Sequence, residues 1–284
     1  MERFSRQLLV LGLGGQEKIS SLKVTIVGCG ALGSKLSEEL ARLGVGSIKL
    51  VDADIVELSN LHRVSLFDEE DVGKPKAKIC AEKLRKINHE IEVSYILDVV
   101  DGKNVEDIIK GSDFVFDALD TPFYRLILND ACVKSGIPLI YGGVTSWYGS
   151  AMFVSSQGPC LSCFMAESQE DACEVTGTLG IVVSAVVSIQ VGLMLKALNG
   201  NPDQSLFYID MKDLTVKSFK IGKNPECKTC VKREFPHLNE NLKPTCGLIR
   251  INSGEIQGKG FTVIRGKDVI ICHENGKCFK KVKS

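Results

Sequence analysis

One stretch near the amino terminus restricts the fold more than any other. Lys23 to Gly28 (KVTIVG) reads as a buried strand, β-branched and apolar, and it runs straight into Gly28-Cys29-Gly30-Ala31-Leu32-Gly33. Missing β-carbons at Gly28, Gly30 and Gly33 allow a tight turn and a close backbone approach to phosphates, whose charge the amides at a helix start attract. Ala31 to Leu43 then carries Leu32, Leu36, Leu40 and Leu43 on one helical face. The next strand, Ser47 to Val51 (SIKLV), ends at Asp52, 19 residues beyond Gly33. A carboxylate there accepts hydrogen bonds from a ribose, so strand, glycine turn, helix, strand and acid together predict a nucleotide site.

The alternation continues. Helices are expected over Lys76–Ile87, Val105–Ile109 and Tyr124–Lys134, with strands over Ile91–Ile96, Phe114–Ala118 and Pro138–Gly142. That order predicts an α/β fold with a doubly wound, Rossmann-like, mostly parallel sheet covered on both faces. Past Gly142 the pattern changes to a strand at Ala151–Ser155, a long apolar helix at Thr178–Leu198, and a hairpin from Leu206–Met211 and Leu214–Ile221. From Pro236 the chain turns polar and Gly-rich with short β-type runs, which predicts a small β-rich C-terminal appendage over 236–284 leaning on the main domain.

A hydride-transferring dehydrogenase is the usual owner of such a glycine turn, and the following residues count against it. Asp52 and Asp54 lead into Ser59, Asn60 and Arg63, then into Gly73-Lys74-Pro75-Lys76. Amide and cationic groups this soon after the acid suit several anionic oxygens, as in a triphosphate, better than a nicotinamide. Asp117-Ala118-Leu119-Asp120 ends a later strand, where a carboxylate could hold Mg²⁺ against phosphates. Across the 284 residues, 35 Lys and Arg balance 35 Asp and Glu, which argues against a nucleic-acid-binding protein. Gly, Ser or Lys interrupts the apolar stretches, so no membrane partner is expected, and the first residues carry no signal-peptide core, which points to the cytoplasm.

Eleven cysteines in such a chain are more readily metal ligands, catalytic thiols or core residues than disulfides. Cys160-Leu161-Ser162-Cys163 and Cys227-Lys228-Thr229-Cys230 form two knuckle-like pairs separated by 63 residues. Four thiolates with no open position describe a structural Zn²⁺ site; two redox pairs are the alternative. Cys29, Cys80 and Cys132 fall on apolar positions of the core. Cys246, Cys272 and Cys278, beside His273, are spaced too irregularly for a second metal site and read as buried or free thiols. His89 and His237 read as exposed.

Taken in order, RFSRQ (Arg3–Gln7), GCGALG, VDADIVELSNLHR (Val51–Arg63), VGKPKA (Val72–Ala77), DALD, GPCLSC (Gly158–Cys163), GTLG (Gly177–Gly180) and NPECKTC (Asn224–Cys230) resemble the MoeB/ThiF adenylyltransferases, relatives of the ubiquitin-activating enzymes. The resemblance spans about residues 1–235 and implies an adenylation domain there, with a crossover loop at about 164–177. It implies a homodimer that uses ATP and Mg²⁺ to adenylate the C-terminal glycine of a small ubiquitin-like carrier ending in diglycine, releasing pyrophosphate. Gly28, Gly30, Ala31 and Gly33 would then form the phosphate loop and Asp52 would bind ribose. Asp54, Ser59, Asn60, Arg63, Lys76 and Thr121 would complete the nucleotide site, and Asp120 would coordinate Mg²⁺. Arg6 would cross the dimer interface to the partner's triphosphate, and Cys173 would form a covalent bond with the carrier. The chain departs from the family's usual Gly at Ala31 and its usual Asn at Thr121. Other readings left open are an ATP-using enzyme acting on tRNA or a peptide, a nicotinamide dehydrogenase, and a zinc scaffold without catalysis.

Overall fold

The computed structural model describes residues 2–165, 177–239, 244, 247–251, 261–266 and 268–282. The chain begins with helix α1 (Ser5–Ser21), which the sequence reading missed. Glycines at 12, 14 and 15 interrupt its apolar pattern, and Gly12 leaves helical geometry altogether (φ 68°, ψ 170°). Then follow β1 (Lys23–Val27), α2 (Ala31–Leu43), β2 (Ser47–Val51), α3 (Lys76–Ile87), β3 (Glu92–Ile96), α4 (Val105–Ile109), β4 (Phe114–Asp117), α5 (Pro122–Ser135), β5 (Leu139–Thr145), β6 (Tyr148–Val154), α6 (Gly180–Leu198), β7 (Leu206–Asp210) and β8 (Thr215–Phe219). Gly44 and Gly136 stop α2 and α5 in the left-handed conformation, with φ of 88° and 73°, where an added side chain would be strained.

These strands form one sheet in the order β3-β2-β1-β4-β5-β6-β7-β8. Pairing is parallel from β3 to β5 and antiparallel from β5 to β8. The order reverses between β1 and β4, the switch point at whose carboxyl edge open α/β sheets bind ligands. One core lies under α2, α3 and α6, around Ile26, Leu36, Ile48 and Val186. The other lies under α4 and α5, around Val115, Ile127 and Leu139.

Helix α6 is the long apolar helix expected at Thr178–Leu198. By length and composition it is apolar enough to cross a membrane. It packs instead on α2 and on β5 and β6, burying Val182, Val183, Val186 and Val187. Glycines make room for it: a Cβ on Gly149 would fall 2.3 Å from Val186 Cγ2, and one on Gly142 would fall 2.6 Å from Gln190 Nε2.

A second, antiparallel sheet of order β10-β11-β12-β9 contains β9 (Gly247–Ile251), β10 (Thr262–Arg265), β11 (Val269–Cys272) and β12 (Cys278–Val282). Cys272 and Cys278 are buried and sit directly opposite each other across β11 and β12, where they form a disulfide, which corrects their reading as unpaired thiols; Cys246 lies outside the described residues. Cys29, Cys80 and Cys132 are buried core residues as expected.

Candidate active site

The carboxyl ends of β1, β2 and β4 bring the expected groups together. Gly28 accepts the turn at φ 95°, and a Cβ there would meet the Ala118 carbonyl oxygen at 2.6 Å. A Cβ on Gly33 would stand 1.8 Å from the Gly28 carbonyl oxygen, so the third glycine seats α2 against the turn. Gly30, at the start of α2, faces open space where an anion can approach. Ala31 keeps the first helical amide of that helix.

Asp52 ties this loop to the next one. Its Oδ2 accepts from the Cys29 amide at 2.6 Å and its Oδ1 from the Asp54 amide at 2.7 Å. Burial pushes its carboxyl above the usual carboxylate range, against the pull of Lys76. Both oxygens therefore hold backbone before any ribose arrives. Asp54 engages Lys76 at 2.6 Å. Burial alone would push Asp54 up, but Lys76 and then Lys281 outweigh it and hold the carboxyl below its ordinary value. For Lys76 the pull of burial is likewise outweighed by Asp54 and Asp52, so this buried ammonium stays charged.

Local structure explains the placement of the cations. Lys76 opens α3 behind Pro75, and its amide donates to the Asp54 carbonyl at 2.9 Å. A 3-10 turn over Leu58–Arg63 carries Asn60, buried and accepting from the Glu57 amide at 3.2 Å, and Arg63, which donates to the Ser59 carbonyl at 2.7 Å. Ser59 itself is exposed. The turn is packed by the start of α6, where a Cβ on Gly180 would meet the His62 carbonyl at 3.3 Å.

The two acids after β4 have opposite environments. Asp120 is exposed and accepts from the Thr121 hydroxyl at 3.1 Å. Asp117 is fully buried against Arg125 at 2.8 Å and accepts from the Leu119 amide at 3.0 Å, so of the pair only Asp120 can reach a ligand. Arg125 also donates to the carbonyls of Leu119 and Gly142 and lies 4.6 Å over the Tyr141 ring, while Gln190 donates to the Asp117 carbonyl at 3.3 Å. The sequence reading missed this clamp beneath Asp120. Its parts come from β4, α5 and α6, with no shared motif to join them.

Arg6 is not gathered here. It is exposed on α1, whose neighbours Arg3 and Gln7 donate to the carbonyls of Ile87 and Leu43 at the opposite, amino edge of the sheet. Cys173 and most of the expected loop at 164–177 lie outside the described residues. The described end of that loop returns to the site, where the Ser146 amide donates to the Gly177 carbonyl at 2.6 Å.

Away from this sheet edge, the thiols of Cys160, Cys163, Cys227 and Cys230 all lie within 4.8 Å of one another. Sulfur separations of 3.7 Å (Cys160 to Cys227) and 3.3 Å (Cys163 to Cys230) are near the edge of a tetrahedron with metal–sulfur bonds of about 2.3 Å. Helix α5 braces both pairs: Asn129 accepts from the Leu161 amide at 3.0 Å, and Asp130 accepts from the Thr229 hydroxyl at 2.6 Å. His237, expected to be exposed, donates its amide to that same Asp130 at 2.9 Å. The donor set fits Zn²⁺ in a closed, structural role.

A glycine turn, the buried Lys76, the half-buried Arg63 and an exposed acid on one sheet edge, with a four-thiol cluster that could hold a metal behind them, define a nucleotide-using α/β enzyme. The ThiF family model matches residues 4–229. The chain belongs to the ThiF family and is an adenylyltransferase of the ubiquitin-activating-enzyme-like kind. It is similar to the SAMP-activating enzyme E1 of Haloferax volcanii, 36% identical over 81% of this chain and 88% of that protein. It is also similar to the sulfur carrier protein ThiS adenylyltransferase of Bacillus subtilis, 35% identical over 90% of this chain and 79% of that one. Among solved structures it resembles E. coli MccB with ATP, with a TM-score of 0.71 and 26% identity over 80% of this chain and 74% of that one.

Proposed function

We propose that this chain uses ATP to adenylate the C-terminal glycine of a ubiquitin-like sulfur-carrier or modifier protein, releasing pyrophosphate. The observation that carries this reading is the gathering of the glycine turn, Asn60, Arg63, Lys76 and Asp120 at one carboxyl edge, in a chain whose relatives activate sulfur carriers. Gly28, Gly30, Ala31 and Gly33 would cradle the phosphates. Asp52 would hold the loop that meets the ribose, with Asp54, Ser59 and Thr121 lining it. A carboxylate of the partner attacks the α-phosphorus, the bond to the bridging oxygen breaks, and pyrophosphate leaves. Lys76 and Arg63 stabilise charge building on those oxygens, so no nucleophilic side chain of this chain is needed. Mg²⁺ held by Asp120 would neutralise further phosphate charge.

The adenylation unit would be residues 1–235, with 236–284 an appendage. Homodimerisation is supported by Leu9, Val10 and Leu13, which lie 78%, 84% and 53% exposed on α1, and by Arg6, which stands at the wrong edge to serve its own glycine turn. Zn²⁺ at the four cysteines would staple the 160–163 turn to the end of the main domain. A cytoplasmic setting would keep those thiols reduced for metal. Once adenylate has formed, Cys173 thiolate would displace AMP to give a carrier thioester. Incubating the chain with MgATP and candidate diglycine-ended carriers, followed by intact-mass analysis, tests the reading. A carrier bearing AMP, or a thiol-sensitive carrier adduct at Cys173, is expected; carriers left unmodified, with ATP intact, would refute it.

A further inference from the structure

The C-terminal sheet does not hang free of the nucleotide site. Arg250 on β9 binds Asp98 at 2.6 Å and Asp101 at 2.5 Å, just beyond β3, and Lys277 also reaches Asp98. His273 shares a 2.8 Å hydrogen bond with the carbonyl of Ala53, the residue between Asp52 and Asp54. On the other flank the Tyr124 hydroxyl donates to the Leu248 carbonyl, and a Cβ on Gly247 would come within 3.4 Å of the Thr121 hydroxyl. The small sheet thus touches the loops after β2, β3 and β4.

One of its side chains enters the charge balance of the site. Lys281, on β12, lies 3.1 Å from Glu57 and 3.4 Å from Asp54 Oδ2, the same oxygen that holds Lys76 at 2.6 Å. Asp52, Asp54 and Glu57 put three carboxylates on the segment after β2, and Asp54 holds the Lys76 ammonium to itself. Two ammonium groups sharing Asp54 loosen its hold on either one, which leaves Lys76 available to phosphate oxygens.

We propose that Lys281 is a positioning residue of the nucleotide site: it neutralises Asp54 and Glu57 so that Lys76 can serve the triphosphate. The appendage is then a wall of the adenylation site rather than a separate module. This rests on the reading that the site binds MgATP, and its test does not require the carrier. MgATP affinity is measured by calorimetry on the full chain, with thermal melting alongside. Lys281→Met, which keeps the apolar stem, is expected to weaken MgATP binding roughly five- to tenfold. Lys281→Arg restores it, and Glu57→Gln in the Lys281→Met background recovers most of the loss. Lys280→Ala, which removes a neighbouring ammonium paired with Asp268 inside the appendage, leaves affinity unchanged.

Unchanged MgATP affinity in Lys281→Met overturns the proposal, whether or not the melting temperature falls, since a fall in melting alone describes a docking contact. Failure of Lys281→Arg to restore affinity overturns it as well, and it covers the case in which Lys281→Met does not fold. A native chain that binds no MgATP refutes both this proposal and the functional reading. A native chain that binds MgATP and adenylates no carrier refutes the functional reading alone.

Discussion

Asp117 and Asp120 stand three residues apart and do opposite work. The first is sealed under the sheet edge with Arg125, the second stands in solvent beside Thr121. Removing one partner of a buried ion pair strands the other charge without water. Arg125→Met is therefore expected to cost about 3–5 kcal/mol in urea unfolding, and Asp117→Leu with Arg125→Met together far less. Equal losses for the single and double variants would contradict the assignment of a clamp. Sequence reveals an acid at a strand end, but it does not reveal which acid turns inward. Arg125 is held over that acid by Tyr141 and Gly142 of β5, and Gln190 of α6 holds the Asp117 carbonyl, all remote from the acid in the chain.

At the scale of elements, the glycine turn is a packing device before it is a binding device. With 1.8 Å between a Cβ on Gly33 and the Gly28 carbonyl oxygen, one of the two must move. Gly33→Ala is expected to lose MgATP binding and about 1–3 kcal/mol of stability, read by calorimetry and urea unfolding. Native-like binding would show that the turn tolerates the shift. Contacts between elements close in sequence were legible from spacing alone: β1, the turn, α2, β2 and its acid, and each cysteine knuckle. Two features escaped. The apolar pattern of α1 is broken where Gly12 kinks it, and β9 and β12 were hidden because their pairing partners, not their own periodicity, define them. Lys281 was invisible for the same reason, reaching Asp54 across 227 residues.

For the molecule as a whole, two clasps hold distant parts together. The cysteine cluster joins a turn after β6 to the segment after β8, braced by α5. Elemental analysis should find roughly one zinc ion per chain, and stripping it with a chelator should lower the melting temperature. A metal-free chain with unaltered melting would contradict a structural zinc. The second clasp is the docked C-terminal sheet, where His273 is buried between Phe261 and Phe279. Burial lowers its pKa below the ordinary value of about 6.5, despite the opposing pull of the Ala53 carbonyl and of Asp52, Asp54 and Asp98. Below that value the unfolded chain takes up the proton before the folded one does. The stability His273 contributes is thus present near neutral pH and lost as pH falls through its lowered folded pKa. The urea midpoint should drop between about pH 7.5 and pH 5.5 in the native chain, and drop less in His273→Gln. An identical pH dependence in the two would remove His273 from the account.

The central claim is that cations and one exposed acid at this sheet edge activate a partner's terminal carboxylate. Exchange of labelled pyrophosphate into ATP measures that step directly, run with the carrier, without it, and with a carrier lacking its last glycine. The account predicts exchange only with the intact carrier, and a fall on the order of a hundredfold or more in a folded Asp120→Ala variant. Exchange that proceeds without the carrier's terminal glycine, or at the native rate in folded Asp120→Ala, would contradict it.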